Sequence, residues 1–255
     1  MHFQAVRRKD GTRRGNSVFQ LRFFQDVRTD PSIGDLITRV CPRASSIFLD
    51  TPDQQTLEKL SALKSLKKLK LNKVNFELVL DTLRTMNYNI TAIELVSAKG
   101  SLDLSLLSHH CPNLQTLEVF YSQTVLTKGG KMKTLHQLKK CVIYSTKISG
   151  EASLDILQNC PAIEHLNLSS AATLENLTLS NIIVERKLEN LSELVLLSAP
   201  LLDLVSIELL VRPLNDGYYI MRIRYAAILV YPRSTNCQIS KCSDVWTAGT
   251  LVLAR

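Results

Sequence analysis

The chain has 255 residues, which is enough for one large domain or two small ones, and its 45% hydrophobic content is ordinary for a folded protein. Aromatic residues make up only 6%, so a core must be mostly aliphatic. The net charge of +8 informs us about partners and solubility rather than about the fold.

The N-terminal residues, MHFQAVRRKDGTRRG, lack the apolar stretch that a secretory signal needs, and no later segment predicts a membrane span. We therefore expect a cytoplasmic or nuclear protein, no membrane partner, and six reduced cysteines. Four sequons, which begin at Asn89, Asn167, Asn176 and Asn190, favour a secreted protein instead.

Residues 1–17 carry the basic clusters Arg7-Arg8-Lys9 and Arg13-Arg14. We interpret them as a solvated, disordered arm, with a nuclear address or a phosphate-binding arm as alternatives. The lysines at 59–73 and 128–147 lack the interleaved aromatic residues that bind single-stranded nucleic acid, so we expect no nucleic-acid partner.

One spacing of apolar residues recurs along residues 18–211: an apolar residue, two others, an apolar residue, one other, and an apolar residue. The eight copies are Val18/Leu21/Phe23, Ala44/Ile47/Leu49, Leu66/Leu69/Leu71, Ile90/Ile93/Leu95, Leu114/Leu117/Val119, Leu138/Cys141/Ile143, Ile163/Leu166/Leu168 and Leu191/Leu194/Leu196. Their middle positions lie roughly 22–28 residues apart, a period typical of leucine-rich repeats. Each copy predicts one strand.

The segments between these copies change to a helical period. The clearest is FELVLDTLRTM, whose apolar residues from Phe76 to Met86 lie on one face. Similar helices are predicted at 35–40, 53–66 with Asp53 as cap, 102–110, 151–159 and 201–211. Stacked strand–helix units would bury a continuous aliphatic core.

Cys-Pro occurs at Cys41, Cys111 and Cys160, each time after a predicted helix. The proline ends the helix and turns the chain toward the next strand, and a small thiol packs well at that junction. A zinc or disulfide role is the alternative.

The segments HCPNLQTLEV and NCPAIEHLNL resemble the cysteine-containing repeats of F-box/LRR proteins, the substrate receptors of SCF ubiquitin ligases. The resemblance covers residues 18–211. It implies an α/β leucine-rich-repeat solenoid, with a curved parallel sheet on the concave face, helices on the convex face, and a protein substrate as partner.

The chain departs from that family in two respects. The position that often carries Asn or Cys is occupied here by Val74, Ala98, Ser122, Thr146 and Ala171. No F-box precedes Val18, since such a module needs ~45 residues. We therefore expect the SCF adaptor as a partner only if a longer isoform supplies an F-box; otherwise the chain is a stand-alone binding module, regulatory or RNA-associated.

In such a solenoid, the residues between the buried strand positions line the concave face. The candidate protein-binding residues are Phe48, Lys70, Glu94, Val96, Glu118, Phe120, Lys140, Val142, Tyr144, His165 and Asn167. Phe120 and Tyr144 occupy the same site in adjacent repeats, which is typical of an interface hot spot. The alternative is that they only cover neighbouring side chains or lie beneath the C-terminal tail.

No arrangement of residues predicts catalysis, a metal or a cofactor. KGGK at 128–131 lacks the spacing of a phosphate loop, and the adjacent His109 and His110 cannot share one metal-binding face. His165 and Glu193 are expected to pair as recognition surface rather than as an acid and base. Cys237 and Cys242 have no second pair. We expect a monomeric protein that is not an enzyme.

The repeat pattern ends near Val211. A degenerate ninth strand is expected at Tyr218–Ile223, and residues 212–255 are either an irregular cap or a tail foreign to the fold. Together with the missing F-box, this pattern favours a fragment of a longer protein.

Overall fold

The computed structural model describes residues 3–7, 19–23, 32–86, 89–128, 130–168, 190–197, 220–225 and 249–253. The described strands are β1 (Phe3–Arg7), β2 (Phe19–Phe23), β3 (Ser46–Asp50), β4 (Lys68–Asn72), β5 (Ala92–Val96), β6 (Ser101–Asp103), β7 (Thr116–Phe120), β8 (Thr124–Leu126), β9 (Lys140–Tyr144), β10 (Lys147–Ile148), β11 (His165–Leu168), β12 (Glu193–Leu197), β13 (Ile220–Tyr225) and β14 (Gly249–Leu253). The described helices are α1 (Ser32–Val40), α2 (Gln54–Leu60), α3 (Phe76–Thr85), α4 (Leu104–His110) and α5 (Gly150–Asn159).

The fold is α/β with one large, mostly parallel sheet. Its described strands follow the order β1-β2-β3-β4-β5-β7-β9-β11-β12-β13-β14, so sequence neighbours are neighbours in the sheet. The strands from β2 to β13 are parallel, whereas β1 pairs with β2 and β14 pairs with β13 in antiparallel fashion. All eight copies of the repeated phrase coincide with strands of this sheet.

The middle strands pair without any register shift. Ile47 lies opposite Leu69, Leu69 opposite Ile93, and Ile93 opposite Leu117. Equivalent positions of successive repeats therefore form straight rows across the sheet. Because side chains alternate along a strand, each row lies wholly on one face.

The buried face of the sheet and the helices share one aliphatic core. Leu69, Ile93 and Leu117 are each about 1% exposed or less, as are Leu57 of α2 and Phe76 of α3. Helix starts are fixed by polar caps: Asp53 accepts a hydrogen bond from the Thr56 N–H, as predicted.

Each middle strand ends in the same unusual turn. Thr51, Lys73, Ser97, Tyr121 and Ser145 directly follow β3, β4, β5, β7 and β9, and their φ angles lie between 49 and 53°. This left-handed conformation costs a non-glycine residue roughly 1–2 kcal/mol. After β5, β7 and β9 the chain continues into β6, β8 and β10, which form a separate three-stranded parallel sheet.

Helix α2 is shorter than predicted. The pattern indicated a helix over 53–66, but the helix ends at Leu60 and the chain makes a turn closed by the Leu66 N–H bonding to the Leu63 carbonyl at 3.0 Å. Cys111 and Cys160 accept equivalent bonds from Leu114 and Ile163. Leu63 therefore takes the place that cysteine has in other repeats.

At the chain ends, two observations differ from the sequence analysis. Residues 3–7, within the arm expected to be disordered, form strand β1, and residues 249–253, within the irregular C-terminal segment, form β14. The expected ninth strand is found slightly later, as β13. Helix 201–211, Ala171, Cys237 and Cys242 lie outside the described residues, and the boundaries 1–17, 18–211 and 212–255 stay predictions.

Candidate functional site

All eleven candidate residues lie on the same face of the large sheet. On each middle strand, the first, third and fifth residues are at least partly exposed, while the second and fourth are buried against the helices. The candidates occupy the exposed positions of β3, β4, β5, β7, β9 and β11. Within the part of the chain that the structure describes, no helix covers this face.

Two rows contain most of the candidates. The central row, taken in strand order, consists of Phe48, Lys70, Glu94, Glu118, Val142 and Asn167. The row at the carboxyl ends of the strands includes Val96, Phe120 and Tyr144, each directly opposite the next. The predicted proximity of Phe120 and Tyr144 is confirmed. The remaining two, Lys140 and His165, are opposite each other at the amino ends.

The charges in the middle of the face largely neutralise one another. Lys70 forms an ion pair with Glu94, and its ammonium also lies 5.4 Å from the centre of the Phe48 ring. Glu118 and Lys140 form a second ion pair at 2.5 Å. Their side chains are partly exposed, so each pair contributes little stability. The pairs fix the orientation of four long side chains.

A groove of about 450 Å³ runs across the strands at this neutralised part of the face. Phe48, Lys70, Glu94 and Glu118 line it, together with the small side chains of Ser46, Ala92 and Thr116. Its floor is formed by buried residues such as Leu69 and Ile93. The groove therefore combines one aromatic ring with the ion-paired Lys70 and Glu94 and with Lys68, which forms no ion pair among the described residues, over an apolar base.

The aromatic residues at the carboxyl ends form a second feature. The Tyr121 ring packs edge-on against the Tyr144 ring, with centroids 5.6 Å apart and an interplanar angle of 86°. Tyr121 remains 62% exposed. Tyr144 is thus in contact with a neighbouring ring, and the aromatic cluster reaches solvent through Tyr121. Tyr121 was missed in the sequence because it lies one residue beyond the strand pattern.

His165 and Glu193 pair as expected, with His165 Nδ1 lying 3.4 Å from Glu193 Oε2 and about half of each side chain exposed. Nearby, Asn167 has a buried side-chain carbonyl oxygen without a hydrogen-bond partner. Within the described ranges, no group of three or more His, Cys, Asp or Glu side chains could hold a metal ion.

The described cysteines are buried free thiols. Burial raises the pKa of Cys111 and of Cys141 to about 12. It also raises the pKa of Cys160, with the neighbouring Cys141 and Asp155 adding to the effect. A thiol that stays protonated at neutral pH is a poor nucleophile and metal ligand, so these side chains act as small apolar packing groups.

The repeat position that departs from the family pattern has a structural role. Thr146 Oγ1 accepts a hydrogen bond from the Ser122 N–H at 3.0 Å, and Ser122 Oγ accepts one from the Ala98 N–H at 3.0 Å. Both hydroxyls are buried and also donate to carbonyls of their own repeat. A hydroxyl ladder thus joins three adjacent repeats where the family often carries Asn or Cys.

The basic cluster at the N-terminus is only partly within the described residues. Arg7 ends strand β1, whereas Arg8, Lys9, Arg13 and Arg14 lie outside them. Across the described ranges, no helix is long and apolar enough to cross a membrane.

Comparison with known proteins gives a match to a leucine-rich-repeat protein over part of the chain. No family model matches the chain. The chain is 31% identical over 92 residues, 36% of its length, to F-box/LRR-repeat protein 4 of Bos taurus. That match spans only 15% of the bovine protein. It supports a distant relationship to leucine-rich-repeat proteins and suggests protein partners.

Proposed function

We propose that the chain is a leucine-rich-repeat solenoid whose uncovered sheet face binds a protein partner. The observation that carries this proposal is the straight register of the sheet. It places Phe120 and Tyr144 side by side, with Val96 opposite Phe120, on a face that no described helix covers. Apolar and aromatic groups on a rigid open surface are typical of interface hot spots.

The polar side chains of this face favour recognition over catalysis. Lys70 and Lys140 are engaged with Glu94 and Glu118, so these four side chains of the sheet face are oriented before a partner arrives. Pre-oriented side chains lose little conformational freedom on binding. We therefore propose a binding module that has no catalytic residues, metal or cofactor and acts as a monomer.

The finer proposal is that the bound protein is a ubiquitin-ligase substrate. The similarity to a protein named for its F-box and leucine-rich repeats supports a role resembling the substrate-recognition domain of an SCF receptor. In this role the sheet face would hold the substrate, and the adaptor would be bound through an F-box in a longer form of the protein. The alternative is a stand-alone module, regulatory or RNA-associated, without a ligase connection.

The test is quantitative co-purification from cells with three tagged forms of the chain. The first is wild type, and the second carries Phe120→Ala with Tyr144→Ala. The third, a matched control, carries Val40→Ala with Leu106→Ala, which removes exposed apolar side chains from helices. Circular dichroism establishes that all three fold.

We expect the sheet-face variant to lose its protein partners at least tenfold, and the helix variant to retain them. Recovery of the SCF adaptor and cullin with wild type would support the ligase role. Other proteins without them would favour the stand-alone module, and loss of partners after ribonuclease treatment would favour the RNA-associated form. Full retention of partners by the sheet-face variant would contradict the proposed site.

A further inference from the structure

Three lysines lie at the carboxyl-end rim, which we define as the first three residues after β4, β5, β7 and β9; Lys147 is also the first residue of β10. Lys73, Lys99 and Lys147 are all exposed there. The Gln123 N–H bonds the Ala98 carbonyl at 3.1 Å, and the Lys147 N–H bonds the Gln123 carbonyl at 3.3 Å. Lys99 and Lys147 are therefore two chain spacings apart, or ~10 Å.

The rim lysines differ from the lysines in the middle of the face. Lys70 and Lys140 have carboxylate partners. Among the described residues, no carboxylate forms an ion pair with the three rim lysines. The positive charge at the rim is therefore available to a partner.

The same rim carries the exposed aromatic residue. Tyr121 lies in the left-handed conformation at φ 50°, which is an outlier for a bulky side chain. The same conformation follows β3, β4, β5 and β9, so it belongs to the repeat, and the surrounding structure holds it in place. The Tyr121 N–H bonds the Tyr144 carbonyl, so the strained residue is held next to Phe120 and Tyr144.

We propose that the carboxyl-end rim binds an extended acidic peptide segment of the partner. The proposal rests on the proposed function, because the aromatic row of the sheet face supplies half of the site. An apolar side chain of the segment packs against Phe120 and Tyr144. Flanking Asp or Glu side chains pair with Lys99 and Lys147, whose ~10 Å separation matches about three residues of extended chain.

Charge and ring geometry favour a peptide over single-stranded nucleic acid. Bases need open ring faces for stacking. Tyr144 is partly buried and packs perpendicular to the Tyr121 ring, and beyond Phe120 the next residue of its row is the aliphatic Val96. A mixed aromatic and aliphatic surface beside lysines suits a segment that carries both apolar and acidic side chains.

The test is selection of a displayed random twelve-residue peptide library on the full chain. We expect the selected peptides to contain at least two acidic residues near an apolar one. A fluorescein-labelled selected peptide is then titrated by anisotropy with wild type and two charge-matched variants. One variant is Lys73→Gln, Lys99→Gln and Lys147→Gln, and the control is Lys64→Gln, Lys67→Gln and Lys133→Gln, all exposed lysines outside the rim.

The rim variant should bind at least tenfold more weakly at low salt, and the control variant should stay within twofold of wild type. Selection of uncharged or basic peptides, no selection at all, or equal affinity of the rim variant would overturn the inference. If Phe120→Ala with Tyr144→Ala still lost partners in cells, the proposed function would nevertheless stand. An oligouridylate probe that bound more tightly than the peptides, and lost affinity in the rim variant, would overturn the inference in favour of nucleic acid.

Discussion

Replacing Thr146 with valine removes one hydroxyl of the buried ladder while keeping the shape of the side chain. The Thr146 hydroxyl accepts from the Ser122 N–H and donates to the Tyr144 carbonyl. The Tyr144 carbonyl keeps a second bond, from the Tyr121 N–H at 3.0 Å. Only the Ser122 N–H therefore loses its partner.

An orphaned buried N–H costs about 1–3 kcal/mol, and the added methyl group recovers about 0.8 kcal/mol at most. We expect Thr146→Val to lower the free energy of unfolding by about 1–2 kcal/mol. With a urea m-value of about 3 kcal/mol/M, the denaturation midpoint should fall by about 0.3–0.7 M. Urea titration followed by circular dichroism measures this shift.

Thr116→Val is the matched control, because Thr116 lies on the partly exposed face of β7. It should change the free energy of unfolding by no more than about 0.5 kcal/mol. If the two substitutions had the same effect, the hydroxyl ladder would not join the repeats as described.

Two further predictions concern stability. Lys73→Gly relieves the left-handed strain at φ 52°, so it should raise the free energy of unfolding by up to about 1 kcal/mol. The control Lys67→Gly, at a position without positive φ, should lower it. A decrease in the free energy of unfolding of Lys73→Gly would contradict the strain argument. Because burial raises the Cys111 pKa from 9.0 to about 12, the unfolded chain releases this proton first as pH rises. The contribution of the protonated Cys111 thiol to the free energy of unfolding is therefore complete below pH 9 and is lost as the pH rises toward 12. About 1.4 kcal/mol of it is lost at pH 10. The unfolding free energy should fall less between pH 8 and pH 10 in Cys111→Ala than in wild type, and identical losses would refute this assignment.

The sequence predicts the large sheet well because one physical pattern repeats. The spacing of Leu69, Ile93 and Leu117 sets both the strand positions and the register. Once the register is known, the alternation of side chains places Phe120 beside Tyr144 on the partly exposed face. The candidate residues could thus be identified before the structure, although their role in binding stays a proposal.

Apart from the Asp53 cap, features that depend on turns and on single hydrogen bonds could not be predicted. The helical spacing of Leu60, Leu63 and Leu66 continues past the end of α2, because buried turn residues can keep the same period. The strands β6, β8 and β10 are too short to show a pattern. The repeated apolar spacing does not include Tyr121, because this residue follows β7 in the left-handed turn.

The most direct test of the account is site-specific photo-crosslinking in cells. A photoreactive residue is placed at Val142, in the central row of the sheet face, or at Leu106 on the exposed side of α4. A discrete protein adduct is expected from position 142 and none from position 106. Adducts from position 106 alone would show that the helices, and not the sheet face, contact the partner.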